Sequence, residues 1–167
     1  PDGYIPYELE TQLREVAAWN FINHEAIENA RPWIITNEEN IWFTASKDKK
    51  TVYAVITGIN DWAKGDRKEF LLGSIKSTPQ TKISVLGQND EVTEYQNHLD
   101  VTSRFEQKND GLHISVVRAQ RVYDNYKWPN PITVKLENAI PALDPPVVET
   151  QVAEIGQGIA RLKRNLL

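Results

Sequence analysis

The sequence predicts a mainly β protein, in which an antiparallel β-sandwich of about seven or eight strands follows a single α-helix. Three patterns indicate this fold class. After Trp33, short stretches alternate apolar and polar side chains with a period of two, and turn residues separate them. Before Arg31, apolar residues recur at spacings of three and four, as on one face of a helix. Near the C terminus, a proline-rich stretch predicts an extended linker, and the pattern after it allows a short helix.

The N-terminal helix is predicted from an apolar stripe and from the residues at its ends. The stripe is formed by Leu9, Leu13, Val16, Ala17 and Phe21. Glu8 and Glu10 fall in the first turn, where carboxylates complement the helix dipole. We expect the helix to end within residues 20–24, and a separate helical turn to follow through residues 25–29 until Arg31-Pro32 stops it. Two partners remain open for the stripe: one face of the sandwich, or the remainder of an α/β domain.

The strands are predicted from alternation between turn residues. They cover residues 40–45, 51–58, 68–74, 81–87, 101–107, 112–118 and 131–138. Residues 47–50 form a charged hairpin tip between the first two. Short strands at this spacing favour an antiparallel sandwich over a parallel sheet.

The composition is ordinary for a globular domain and argues against several classes of site. The net charge of the 167 residues is −4 and the basic residues are scattered, which argues against nucleic acid as a partner. The lack of cysteine excludes disulfides and thiolate metal sites. No apolar run approaches the roughly 20 residues that span a bilayer. Because the chain lacks methionine and opens on Pro1-Asp2-Gly3, we expect further protein sequence upstream.

Several segments, in a fixed order, carry a resemblance to an enzyme family. They are Pro1-Asp2-Gly3-Tyr4-Ile5-Pro6, Leu13, Trp19, Asn23, Glu25-Ala26-Ile27, Arg31-Pro32-Trp33, Ile41-Trp42-Phe43-Thr44, Thr51-Val52-Tyr53-Ala54-Val55, Lys82-Ile83-Ser84-Val85-Leu86-Gly87 and Asp110-Gly111-Leu112-His113-Ile114. This ordered set, over residues 1–138, resembles the C-terminal portion of the α-L-fucosidases of glycoside hydrolase family twenty-nine. His24 and Glu28 depart from the family pattern, which has glycine and tyrosine at these places.

The resemblance implies a division of the chain and a parent enzyme. Residues 1–31 would be the last helix of a (β/α)₈ barrel and the junction, residues 32–138 the C-terminal β-sandwich, and residues 139–167 a linker and tail. The family hydrolyses terminal fucosides with retention, by an aspartate nucleophile and a carboxylic general acid/base. Barrel active sites lie at the C-terminal ends of the strands, and by the resemblance all eight strands precede Pro1. We therefore expect no catalytic residue in this chain. Its expected role is to brace the barrel, and it could also shape the aglycone side of the site.

Partners and location follow from the same resemblance. The expected partners are the catalytic barrel of the same parent protein and fucosylated glycans, with neither nucleic acid nor membrane. The unmatched stripe also allows self-association. An exported or periplasmic location is expected by similarity to glycan-degrading relatives.

The spacing of the ionisable residues predicts no cofactor or metal site. His24, His98 and His113 lack the spacing of metal ligands. No phosphate-binding loop or nucleophile elbow is present. Glu25 lies in the resemblance motif, and we expect its side chain to hydrogen-bond the backbone at the junction.

Loop tryptophans are the candidate substrate-binding residues, because a sugar ring offers an apolar C–H face to a flat side chain. Trp62 lies in a turn-rich stretch and Trp128 beside a proline, so both could contact substrate, although packing at the sandwich edge explains each as well. Trp19, Trp33 and Trp42 are interpreted as core or junction residues.

Two rival functions stay open. One is an independent carbohydrate-binding or protein-interaction sandwich that uses Trp62 and Trp128 as platforms. The other is a self-sufficient enzyme, which needs a carboxylate dyad that the sequence does not reveal.

Overall fold

The computed structural model describes residues 3–88, 99–119 and 130–142. Within these residues the protein is mainly β, with one helix, ten strands in antiparallel sheets and no closed barrel. The helix, α1, spans Tyr7–Ile27. The strands are β1 (Arg31–Glu38), β2 (Ile41–Ala45), β3 (Thr51–Ile56), β4 (Arg67–Leu72), β5 (Ile75–Lys76), β6 (Lys82–Val85), β7 (Arg104–Lys108), β8 (Gly111–Val117), β9 (Ile132–Glu137) and β10 (Ile140–Pro141). The predicted fold class is confirmed, whereas the predicted C-terminal helix lies outside the described residues.

Two main sheets enclose the apolar core. One has the order β1-β2-β3-β9-β6 and the other the order β4-β8-β7, while β10 and β5 form a small third sheet. Alternate residues of each central strand point inward and are fully buried. They are Val52, Ala54 and Ile56 on β3, and Leu112, Ile114 and Val116 on β8. These side chains belong to one apolar cluster. The inward-facing half of each alternating strand therefore forms the contact between the two sheets.

The helix is longer than the sequence predicts. It runs without a break to Ile27, and the expected separate turn over residues 25–29 is not formed. Ala26, in the last turn, is buried, and its carbonyl accepts a hydrogen bond from the Thr44 hydroxyl at 2.7 Å. This contact with the sheet stabilises a helical turn that local sequence alone does not favour.

Strand β1 was not among the predicted strands. Trp33 is its only buried residue, so the strand shows no period-two alternation of burial. It is an edge strand of its sheet, where Pro32 can be tolerated because one side of the strand makes no ladder hydrogen bonds. Pairing with β2 also shifts register between Pro32 and Asn37.

Glu38, at the end of β1, stabilises the turn between β4 and β5. Its two carboxylate oxygens accept hydrogen bonds from the backbone N–H groups of Gly73 and Ser74, both at 2.7 Å. We expect Glu38→Ala to lower the free energy of unfolding by about 1.5–3 kcal/mol, because two partly buried donors lose a charged acceptor. Urea unfolding measures the loss. The exposed Glu69 is the matched control, and an equal loss in Glu69→Ala would contradict the role given to Glu38.

Candidate functional site: the helix–sheet junction

Polar contacts attach the C-terminal half of α1 to the outer face of the five-stranded sheet. Trp19 Nε1 donates to the Pro131 carbonyl at 2.7 Å, just before β9 begins. Asn23, which is fully buried, donates through Nδ2 to the Trp19 carbonyl at 2.8 Å. The Asn23 bond lies within α1, whereas the bonds from Trp19 to Pro131 and from Thr44 to Ala26 attach this part of the helix to the sheet and fix its rotation.

Glu25 joins the helix to two strands. Its Oε2 accepts hydrogen bonds from Lys135 Nζ at 2.7 Å and from the Tyr53 hydroxyl at 3.2 Å. Tyr53 and Lys135 are direct partners across β3 and β9, so one carboxylate bridges a cross-strand pair. The expectation that Glu25 hydrogen-bonds the backbone is wrong, because the observed partners are side chains.

Burial and charge both act on the Tyr53 hydroxyl. Burial, followed by the negative charge of Glu25, raises the pKa of Tyr53 to about 12. Both effects have the same direction, since each disfavours a phenolate at this place. Tyr53 therefore remains a neutral donor to Glu25 far above neutral pH.

This pKa predicts a loss of stability in alkali. The pKa of Tyr53 is higher in the folded chain (about 12) than in the unfolded chain (about 10), so the unfolded state releases its proton first. The stabilisation is thus complete below about pH 10 and is lost as the pH rises towards 12. Urea unfolding at several pH values measures this decline, and Tyr53→Phe should flatten it. An equally steep decline in Tyr53→Phe would assign the effect to other groups.

The N-terminal half of α1 presents its apolar side to solvent. Leu9, Leu13 and Val16 are 46%, 49% and 55% exposed. In contrast, the helix positions buried against the rest of the protein include the polar residues Glu15 and Asn23. Of the two partners considered for the stripe, the sandwich face is therefore not the one that covers it.

A mixed-charge cleft lies between the end of α1 and the β2–β3 hairpin. Its volume is about 610 Å³, and its lining includes His24, Glu25, Glu28, Asp48 and Tyr53. Hydrogen bonds from the Ser46 hydroxyl and the Lys50 N–H lower the pKa of Asp48. A general acid needs a raised pKa, whereas the pKa of Asp48 is lowered.

The described histidines take part in local hydrogen bonds. His113 Nε2 lies 2.9 Å from Asp110 Oδ1, and His24 Nδ1 lies 2.9 Å from the Phe21 carbonyl. No group of three or more potential ligands that could hold a metal ion occurs within residues 3–88, 99–119 and 130–142. In the same part of the chain, no helix has the length and apolar character needed to cross a membrane.

The structure buries one candidate tryptophan and exposes another that the sequence assigned to packing. Trp62 is 2% exposed, donates from Nε1 to the Asp66 carbonyl at 2.8 Å, and packs on Phe70 with ring centroids 5.4 Å apart. Such burial leaves no open ring face for a sugar and favours the packing role. Trp128 lies outside the described residues. Trp42, interpreted as core or junction, is 48% exposed on the sheet face that carries α1, which excludes a core position.

Sequence reasoning missed the role of Gly87 at the junction. Gly87 follows β6 with a φ of +72°, and a Cβ at this position would lie 2.5 Å from Cγ2 of Ile22 on α1. The only signal in the sequence was the place of Gly87 at the end of a strand within the resemblance motif. Its side-chain-free backbone is what lets α1 approach the sheet.

Comparison with known proteins relates part of the chain to a glycosidase. No family model matches the sequence. The chain is 33% identical over 95 residues to the plasma alpha-L-fucosidase of Rattus norvegicus, and the match covers 55% of this chain and 20% of that relative. A region of this chain is thus related to an alpha-L-fucosidase. The matched region spans about a fifth of the relative's length.

Proposed function

We propose that this chain is the C-terminal β-sandwich part of a retaining exo-α-L-fucosidase, and that it braces the catalytic (β/α)₈ barrel of the same parent protein. In this proposal the catalytic carboxylates lie in the barrel, outside the chain. The observation that carries it is the outward apolar stripe of α1. The similarity of part of the chain to an alpha-L-fucosidase supports the choice of parent.

The stripe has the residue pattern of a helix-packing surface, but the described residues leave it exposed. Leu9, Leu13 and Val16 lie at spacings of four and three, so they form a ridge on one side of α1. Full burial of such a side chain contributes about 1.5–3 kcal/mol, and each of these three is about half exposed. The helices of a (β/α)₈ barrel form a ring that packs against its strands. A helix of that ring would pack its stripe against the barrel and would bind the sandwich through its polar contacts.

The proposed division of the chain is residues 1–31 for the last barrel helix and junction, residues 32–138 for the sandwich, and residues 139–167 for a linker and tail. Strand pairing supports a slightly wider sandwich. Arg31 already pairs with Ala45, and Ile140 and Pro141 pair with Lys76 and Ile75.

Sequencing the coding DNA upstream of Pro1, over about 1 kilobase, tests the proposal, since a barrel needs roughly 250 residues. Repeated βα units that end in a strand leading into Pro1-Asp2-Gly3 would support it. A start codon or signal peptide directly before Pro1 would contradict it and favour the independent carbohydrate-binding or protein-interaction module.

The stripe also predicts how the isolated chain behaves. We expect the 167-residue chain to bind a hydrophobic dye and to self-associate, because the ridge meets water. Replacing Leu13 and Val16 together with glutamine, a good helix former, should reduce dye fluorescence several-fold and favour the monomer. Dye titration and sedimentation velocity measure the two effects.

The matched control is Leu71→Gln, since Leu71 is 43% exposed on β4 of the other sheet. It should leave dye binding and self-association unchanged. A wild-type chain that is monomeric and silent to dye would contradict the proposed role of the stripe.

A further inference from the structure

We infer that Trp42 on β2 belongs to the same docking surface as the α1 stripe, and that this surface receives the catalytic barrel of the parent protein. The inference rests on the proposed function and extends it from the helix onto the sheet. We call this surface the Trp42 face; it comprises Val16 and Ile27 of α1 together with Trp42.

The strand register places Trp42 beside α1. Thr44 lies two residues further along β2, on the same face, and its hydroxyl bonds to the Ala26 carbonyl of α1. Trp42 is opposite Val55, and Val55 is opposite Thr133. Along this row, Thr133 is fully buried, Val55 is partly buried and Trp42 is 48% exposed. The outer face of the sheet is thus covered at β9 and open at β2.

The rotation of α1 directs apolar side chains towards the open side. Glu25 reaches Tyr53 on β3 and Lys135 on β9, which marks one flank of the helix. Val16 precedes Glu25 by nine residues, so at about 100° per residue it points to the opposite flank. Ile27 follows Glu25 by two residues and points about 160° away from it. In the sheet, β3 lies between β9 and β2. The flank of α1 opposite Glu25 is therefore on the side of β2 and Trp42.

Exposed apolar side chains lie on this side of both elements. Val16 and Ile27 are about half exposed on α1, and Trp42 is equally exposed on β2. A single exposed apolar side chain is common at protein surfaces, but three on the same side of two neighbouring elements indicate an interaction surface. Tryptophan is also the residue type most often found as an energetic anchor at such surfaces.

The shape and chemistry of the Trp42 face fit one kind of occupant. An angle between a helix flank and a sheet accommodates a convex apolar ridge, such as a helix from the outer ring of a barrel. The matched region covers 20% of the related fucosidase, so most of such a protein is available to supply the ridge. Val16 also belongs to the ridge that Leu9 and Leu13 form, so a single occupant for the ridge and the Trp42 face is the simplest arrangement.

Thiol labelling tests the inference, since the chain contains no cysteine. Leu13→Cys, Ile27→Cys, Trp42→Cys and Leu71→Cys are prepared separately in the 167-residue chain and in the full-length parent. Each is treated with a maleimide, and peptide mass spectrometry gives the labelling rate at that position. In the isolated chain, diluted below the concentration at which it self-associates, we expect all four thiols to react readily. In the parent, the thiols at positions 13, 27 and 42 should react at least about tenfold more slowly, whereas the thiol at position 71 should be unaffected.

The outcomes separate this inference from the proposed function. Protection at position 13 without protection at 27 and 42 would overturn the inference and leave the proposed barrel contact intact. Absence of protection at all of these positions would overturn both. Reactive thiols at 27 and 42 that become protected when a fucosylated oligosaccharide is added would identify the Trp42 face as a glycan platform instead. Ile27→Cys retains Trp42, so it reports on the same surface even if replacing Trp42 disturbs folding.

Discussion

Trp62→Ala should lower the free energy of unfolding by about 3–5 kcal/mol, the cost of removing a large aromatic side chain from a core. Trp62 is among the largest fully buried side chains and belongs to the apolar cluster between the sheets. The substitution leaves a cavity against Phe70 and leaves the Asp66 carbonyl without the indole donor. Since a domain of this size has a total stability of about 5–15 kcal/mol, urea unfolding followed by circular dichroism should show a large loss.

Trp42→Ala is the matched control for Trp62→Ala. Trp42 is about half exposed in the isolated chain, so its removal should cost roughly 1 kcal/mol or less there. Trp62→Phe should fall between the two, because it keeps a buried ring and loses the hydrogen bond to Asp66. If Trp62→Ala and Trp42→Ala cost the same small amount, Trp62 does not hold the core together, and its role as a substrate contact regains support.

The strands were predictable where burial alternates along them. β3 and β8 lie in the middle of their sheets, and their inward residues are the apolar half of each period-two pattern. β1 was missed because an edge strand with one buried residue carries no such pattern. β5 and β10 were missed because each has two residues, and each exists only through pairing with the other.

The sequence predicts which residues belong to the candidate site, but it does not predict how they are arranged in space. The spacing of Leu9, Leu13 and Val16 revealed the stripe, but whether it faces the sandwich depends on contacts such as Glu25 with Lys135, which are 110 residues apart in sequence. The two tryptophans show the same limit. Trp62 lies in a loop that the fold closes over its ring, and Trp42 lies in a strand whose outer face α1 leaves open. Burial of a given aromatic residue is set by the neighbours that the fold brings to it.

Gly87→Ala should destabilise the protein by about 2–5 kcal/mol and should act mainly on the helix–sheet junction. A left-handed φ at a residue with a Cβ costs about 1–2 kcal/mol, and forcing an extra methyl into a packed contact costs about 1–3 kcal/mol. Both apply here, because Gly87 has a φ of +72° and its new Cβ would lie 2.5 Å from Ile22 Cγ2. Urea unfolding gives the total. Hydrogen exchange should show faster opening of the C-terminal half of α1 than of β3.

Two further variants separate the backbone cost from the steric cost. Gly65 has a φ of +86° with no atom within 4 Å of an added Cβ, so Gly65→Ala should show the backbone cost alone. Ile22→Ala combined with Gly87→Ala removes the clash, and a double-mutant cycle should give a favourable coupling of about 1–3 kcal/mol. A coupling near zero would mean that Gly87 does not control the approach of α1. If the coupling is present, Gly87 determines how closely the helix packs on the sheet, and through the helix it determines where Leu13 and Val16 face.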